Sequence, residues 1–379
     1  MKRSIHSFTS RYCRGIYAAA AILAGCGGGQ ASTGANLVPL QSQVTRAGVP
    51  ACPNVPRGQI QCLALIQSKS GISPAVAGWA PADFQAHYKL PSGTKGSGQI
   101  VAIVDAYDNP NVANDLATYR TEFGLGTAKL FKYNQEGKQS SYPSGNAGWG
   151  VEIDLDVEMA SATCPLCTIY LIEANSNDSS DLEAAEAEAV KLGAHIVSNS
   201  WVCSGYDSCV NQSDFDKPGV EYLAASGEDG LGVGAPAAFA DVAAIGGTVL
   251  SKNGSQYNEV VWNGSGGGCA TGIKKPKWQH DKICSGRAVG DASAVAMGVA
   301  EYDSYGYGGW LTSGGTSVSA PLLAGVFGLA GNATQQKGGR TFWESKHHKD
   351  LYDVCAGSCL FSTYSYGGGW GSPDGIAAF

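Results

Sequence analysis

The 379-residue chain is 44% hydrophobic and only 15% charged, against about 25% charged in an ordinary soluble domain, which excludes a chain held unfolded by its own charge. Its formal net charge is -7, and without a long Lys/Arg run it has no electrostatic grip on a phosphate backbone, so nucleic acid is excluded as the partner. The 53 glycines follow no three-residue period, which rules out collagen and calls for many tight turns.

At the N-terminus, Lys2, Arg3, Arg11 and Arg14 precede an apolar run over 16–24. The run is too short to span a bilayer and reads, over 1–25, as an export signal. It ends in Leu23-Ala24-Gly25-Cys26, which resembles the lipobox of bacterial lipoproteins. Cys26 is then the lipid-anchored N-terminus of an extracytoplasmic protein of the bacterial cell envelope; the alternative is an ordinary signal peptide and a secreted protein. Residues 26–77 read as a tether and a short N-terminal segment, polar to about 49. Apart from Cys13 and Cys26, the cysteines fall in local twos, 52/62, 164/167, 203/209, 269/284 and 355/359. In an oxidising compartment that pattern predicts five short-loop disulfides. Cys164 and Cys167 alone would also suit half a zinc site or a redox motif, but no second pair or spaced histidines accompany them.

A short amphipathic segment starts at 78–83. From 99 an alternation begins: a buried-type strand over 99–105 (QIVAIVD), a helix over 111–123 after Pro110, and short apolar strands at 168–173, 195–200 and 221–226. A strong helix over 180–192 separates two of them. This order predicts an α/β fold with a parallel sheet and right-handed crossovers, in one domain over 78–379. Chemistry in such sheets collects beyond the carboxyl ends of the strands, which directs attention to Asp105, Trp201 and the turn 227–230.

Gly314-Gly315-Thr316-Ser317 precedes an apolar helical run over 322–330. Glycines there let a substrate approach, and a helix start stabilises negative charge beside a serine hydroxyl; a plain N-cap is the other reading. A serine nucleophile needs a base. None of the six histidines stands in a glycine-flanked helix start, which argues against a Ser/His/Asp triad. The segment 150–160 offers carboxylates instead. Glu152 and Asp156, four apart, share one helix face and would rather share a proton than both ionise. Asp154 and Glu158 read as a solvated acidic face.

Together these features resemble the sedolisin family of serine-carboxyl peptidases, which keep a subtilisin-like, doubly wound sheet and use glutamate in place of histidine. The resemblance takes in IVDAYD at 103–108, NSW at 199–201, AASGEDG at 224–230, IGGT at 245–248 and GWGSPDG at 369–375. It implies Ser317 as nucleophile, Glu152 as base and Asp156 as its partner, with Asp105 and Trp201 extending the hydrogen-bond chain behind them. It also implies an endopeptidase acting on proteins or peptides through an acyl-enzyme at acidic pH, a monomer that needs no cofactor for its chemistry and touches a membrane only through its anchor. Two positions depart from the family pattern. Glu228 stands where the family has its oxyanion aspartate, so either Glu228 adapts or Asp229 takes the role. At the family's structural calcium site Asp353 and the Val354 carbonyl match, but Gly371 replaces an aspartate, which weakens calcium binding. The segment 30–77 is much shorter than a typical family propeptide, which leaves a rival reading as a peptidase-derived binding or scaffold lipoprotein with impaired catalysis.

Overall fold

The computed structural model describes residues 48–56, 59–69, 76–203, 209–346 and 348–379. In chain order these form β1 (Val49–Pro50), β2 (Ile60–Cys62), β3 (Leu65–Lys69), α1 (Pro81–His87), β4 (Ile100–Ala106), α2 (Val112–Glu122), β5 (Lys129–Asn134), α3 (Ala147–Thr163), β6 (Thr168–Ala174), α4 (Ser179–Lys191), β7 (Ile196–Asn199), β8 (Trp201–Cys203) and β9 (Glu221–Ala225). There follow β10 (Val242–Asn253), β11 (Gln256–Val261), β12 (Gly268–Lys274), β13 (Gly286–Val289), β14 (Ala292–Val295), β15 (Met297–Asp303), β16 (Gly309–Gly314), α5 (Thr316–Ala330), α6 (Gly339–Trp343), β17 (Leu351–Tyr352) and β18 (Ser372–Pro373).

The central sheet has eight strands in the order β11-β10-β9-β7-β4-β6-β5, with β14 beside β10. Only β10–β11 is antiparallel. This is the expected α/β architecture, and β4 shows why helices cover both faces. Val101 and Ile103 join the apolar cluster of α3 and α5, whereas Ala102 and Val104 join that of α4. The period of two that sorts them also puts Asp105 on the α3 side, where it is fully buried.

Helix α3 starts where the Asn146 side chain accepts the N–H groups of Gly148 and Trp149. All its side chains from 149 to 163 are buried, so it is a central helix and not a surface one. It packs on α5, and Gly325 permits the approach: a methyl group there would lie 2.8 Å from Thr163 Cβ and 3.1 Å from the Ala160 carbonyl oxygen. That packing fixes the acidic residues of α3 against the start of α5.

A second, antiparallel sheet runs β1-β3-β16-β15, and β2 pairs with β8. Strands β1, β2 and β3 are therefore part of the same body, although the sequence places them ahead of a domain beginning at 78. Their order comes from partners far along the chain, Leu65 facing Gly314 and Cys62 facing Trp201, which leaves no local periodicity to read. The five expected disulfides are present, Cys52–Cys62, Cys164–Cys167, Cys203–Cys209, Cys269–Cys284 and Cys355–Cys359, so Cys164 and Cys167 hold neither zinc nor a free dithiol. The signal over 1–25, Cys26 and the tether up to 47 lie outside the described residues. Among the described residues no helix is long and apolar enough to cross a membrane.

Candidate active site

Strand β16 ends at Gly314 and α5 begins at Thr316, which sets Ser317 in the first helical turn, fully buried. Gly315 between them has φ +108°, and a methyl group on it would lie 2.4 Å from the Leu63 carbonyl oxygen and 3.3 Å from Glu228 Oε1. Both the backbone angle and the crowding require glycine. Ser319, two residues on, spends its hydroxyl on the carbonyls of Ala294 and Val295, at 2.9 and 3.1 Å. The Ser317 hydroxyl makes a 3.5 Å contact to the Ser200 carbonyl and lies beside Glu152, whose Oε1 is buried without a hydrogen-bond partner.

Glu152 and Asp156 lie one turn apart on α3, both without solvent exposure. Glu152 Oε2 accepts the backbone N–H groups of Leu63 and Ala64, at 2.8 and 2.6 Å. Burial raises its pKa to about 7, against the neighbouring Ser317, Ala64, Leu63 and Asp156, which favour the charged form. Burial likewise holds Asp156 well above the usual carboxylate range, helped by the charges of Asp105 and Glu152, although the Ser200 hydroxyl donates to its Oδ1 at 2.8 Å. Asp105 is pushed up by burial and by Glu152, and neither of its oxygens has a hydrogen-bond partner. Three carboxyl groups thus stack behind one hydroxyl and cannot all ionise together. Trp201 does not extend this chain: its indole N–H donates to the Val104 carbonyl at 3.0 Å, and its ring packs in the α4-side core.

Glu228 reaches the same turn from the segment after β9. Its Oε1 accepts the Thr316 backbone N–H at 2.6 Å and hydroxyl at 2.7 Å, while Oε2 is enclosed and unpartnered. Burial raises Glu228 to about 8, with the Thr316 bonds opposing. Asp229 is exposed. Of the two carboxyls left open by sequence, Glu228 is the one in the site, and Thr316 accommodates its longer stem.

Two expectations fare differently. Asp154 and Glu158 are not a solvated face; both are fully buried, because α3 is covered on all sides. Asp154 Oδ2 accepts from Asn109 Nδ2 at 2.6 Å and Glu158 Oε2 from the Tyr302 N–H at 3.1 Å, and carboxylate oxygens of Asp115, Asp154 and Asp303 converge within 4.8 Å. The calcium positions do not fit the ion. Asp353 Oδ1 accepts the Cys355 N–H, the Val354 carbonyl accepts the Val261 N–H, Gly371 offers no side chain, and the neighbouring Cys355 and Cys359 are joined to each other. Among the described histidines, His87 bonds Glu259, His195 the Gly219 carbonyl and His348 the Phe342 carbonyl.

Sequence reading missed four contributors. Ser200 and Thr316 stood inside quoted motifs, NSW and Gly-Thr-Ser, where their hydroxyls were available as a signal. Leu63 and Ala64 act through backbone N–H groups, which every residue but proline carries, so no sequence signal marks them.

No family model matches the chain. It is 30% identical to kumamolisin of Bacillus sp. (strain MN-32) in an alignment of 294 positions that covers 67% of this chain and 52% of that protein. It is 24% identical to sedolisin of Pseudomonas sp. (strain 101) in an alignment of 348 positions that covers 79% of this chain and 59% of that protein. The chain therefore spans somewhat more than half the length of these curated relatives. The solved structure of Pseudomonas sedolisin, a serine-carboxyl proteinase complexed with two molecules of pseudo-iodotyrostatin, matches with a TM-score of 0.66 at 22% identity, over 79% of this chain and 96% of that one. The fold is shared.

Proposed function

Since the chain belongs to the sedolisin family of serine-carboxyl peptidases, we propose that it is an endopeptidase that hydrolyses proteins or peptides through an acyl-enzyme on Ser317. The observation that carries this reading is the meeting of a buried Ser317, at a helix start, with the raised carboxyl of Glu152. Ser317 Oγ attacks the substrate carbonyl as Glu152 takes its proton. Glu152 then returns the proton to the departing amine, while Asp156 and Asp105 restrain it to a single shared charge. The free Oε2 of protonated Glu228 and the Ser317 backbone N–H receive the oxyanion. Each of these steps uses only groups of the chain itself.

The working pH lies on the acidic side. Glu228 can donate only while protonated, and burial lets it keep a proton up to about 8. Admitting water and substrate to the cleft reduces the desolvation that raises Glu228 and Glu152, which moves both back toward the ordinary carboxylate range. Activity therefore falls away no later than about pH 8. The protein works as a monomer outside the cytoplasm, held to a bacterial membrane by a lipid on Cys26.

One fractionation experiment tests activity and location together. Casein hydrolysis at pH 4–6 is measured in membrane and soluble fractions of cells making wild type, Ser317→Ala or Cys26→Ala. Wild-type activity is expected with the membranes, Ser317→Ala to lose on the order of 10⁶-fold in turnover, and Cys26→Ala to move the activity to the soluble fraction. Full activity in Ser317→Ala refutes the nucleophile, and membrane-bound Cys26→Ala refutes the anchor.

A further inference from the structure

The family's calcium positions fall in the tail over 351–379, which β17 and β18 fold back on itself with Tyr352 facing Ser372. The oxygens there are taken. The Val354 carbonyl accepts the Val261 N–H at 2.9 Å, and the Gly371 carbonyl accepts the Ser293 N–H at 3.0 Å. Position 371 also excludes a side chain: its φ is +131°, and a methyl group on it would lie 2.1 Å from the Tyr352 carbonyl oxygen. That leaves the exposed Asp353, whereas calcium takes about six to eight oxygen ligands.

Two residues before Val261, the buried Glu259 collects hydrogen-bond donors instead. Its Oε1 accepts the Tyr88 and Thr248 hydroxyls at 2.6 and 2.5 Å. Its Oε2 accepts the Ser372 hydroxyl at 2.5 Å and lies 2.9 Å from His87 Nε2. Four partners fill the capacity of a carboxylate. They come from the end of α1, from β10 and from β18, and Tyr88 Oη in turn accepts the Val295 N–H of β14 at 2.8 Å. The tail closes around this hub. Tyr352 stacks on His87 with ring centroids 5.1 Å apart and donates to the His87 carbonyl, and the Gly375 N–H donates to the Tyr88 carbonyl.

We propose that Glu259 takes the place of the family's calcium ion in fastening the tail to the body, and that this protein stays folded without calcium. A calcium ion crosslinks segments by gathering oxygens. Here one buried carboxylate crosslinks the end of α1, β10, β11 and β18 by gathering donors, and hydrogen bonds to a carboxylate are about twice as strong as neutral ones. Glu259 has no lone pair left for a cation, so the two devices exclude each other at this place. The Cys355–Cys359 bond closes the loop that follows Asp353, which restricts it with no ion at all. This role is structural and holds whether or not Ser317 cuts peptides.

The test measures Tm and amide hydrogen exchange at pH 7 on the full chain carrying Ser317→Ala, which keeps proteolysis out of the reading, in about 10 mM EDTA and in about 10 mM calcium chloride. A site of the affinity usual outside the cell, Kd about 10⁻⁴–10⁻³ M, would separate the two Tm values by about 3–10 °C. The expected result is one Tm, within about 1 °C, in both solutions. Adding Ser372→Ala removes one donor of the four. It should lower Tm by about 3–6 °C with and without calcium, and speed exchange over 351–375 while leaving β4 protected. Glu259→Gln has one acceptor oxygen and points an N–H at the remaining donors, so it should lower Tm by about 10 °C or more in both solutions. If Glu259→Gln does not fold, Ser372→Ala carries the test by itself. A calcium-dependent rise in Tm of 3 °C or more overturns the inference, as does rescue of either variant by calcium. So does a Ser372→Ala protein whose Tm and exchange over 351–375 match those of its parent.

Discussion

Helix α3 carries two interleaved acidic pairs with the same spacing, Glu152 with Asp156 and Asp154 with Glu158, and all four side chains are fully buried. Burial is the leading cause of a raised pKa in each. What separates Glu152 from the other three is the company it keeps. Glu152 meets a hydroxyl and two backbone N–H groups that favour its charged form, and settles near 7. Asp154 and Glu158 face further carboxyls, Asp115 from α2 and Glu301 and Asp303 from β15 and its end, and stay well above the usual range. A carboxyl close to neutrality can give and take protons during a reaction, whereas one held far above it is a neutral structural group. Burial alone does not mark a catalytic acid; donors that partly offset it do.

The sharpest way to break this comparison is to neutralise one member of each pair. Glu152→Gln keeps the shape and the acceptor oxygen but cannot move a proton, and should lower kcat by about 10²- to 10⁴-fold. Glu158→Gln should leave kcat within a few-fold. Equal losses in steady-state peptide hydrolysis would show that the two faces are not distinct. A smaller effect is expected at Glu228, where losing an oxyanion donor costs about 10²- to 10³-fold. Glu228→Ala should show that loss throughout, while Glu228→Gln should keep measurable activity above pH 8, where the wild-type carboxyl has lost its proton, because an amide donates without one. A Glu228→Ala profile identical to wild type would remove Glu228 from the site.

How much of this was legible in the sequence follows the same division. Strand β4 was read within one residue of its ends because alternate residues along it serve two apolar clusters. The cysteine pairs were legible because each closes a short loop, and Glu152, Asp156 and Ser317 because their side chains do the work at readable spacings. Asp154 and Glu158 were misread because charge on a helix ordinarily means water, and the acids that enclose them come from segments about 40 residues before and 150 after. Residues 48–69 were assigned outside the domain for a similar reason: two- to five-residue strands take their order from distant partners. The contribution of Leu63 and Ala64 to the site is made by main chain alone.

The smallest effect sharpens the comparison from the structural side, through stability against pH. In Asp154 and Glu158 the folded-state pKa lies above the unfolded one, chiefly through burial and then through the facing carboxyls Asp115, Glu301 and Asp303, with Asp154 also acting on Glu158. Between those two values the native state holds protons that the unfolded chain releases, so stability is full below the ordinary carboxylate pKa and is lost as pH rises toward the folded-state values. Wild-type Tm should therefore fall from pH 4 to pH 8. The double variant Asp154→Asn, Glu158→Gln keeps oxygen acceptors for Asn109 Nδ2 and the Tyr302 N–H but has no proton to lose. It should match wild type near pH 4 and melt about 2–4 °C higher at pH 8, the shift that ~1 kcal/mol produces in a domain of a few hundred residues. The slope will not vanish, since Asp105, Asp156 and Glu221 are also raised by burial. If instead wild-type Tm rises with pH and the double variant is less stable at pH 8, the second pair is ionised in the native protein and cannot be the neutral counterpart of Glu152 and Asp156.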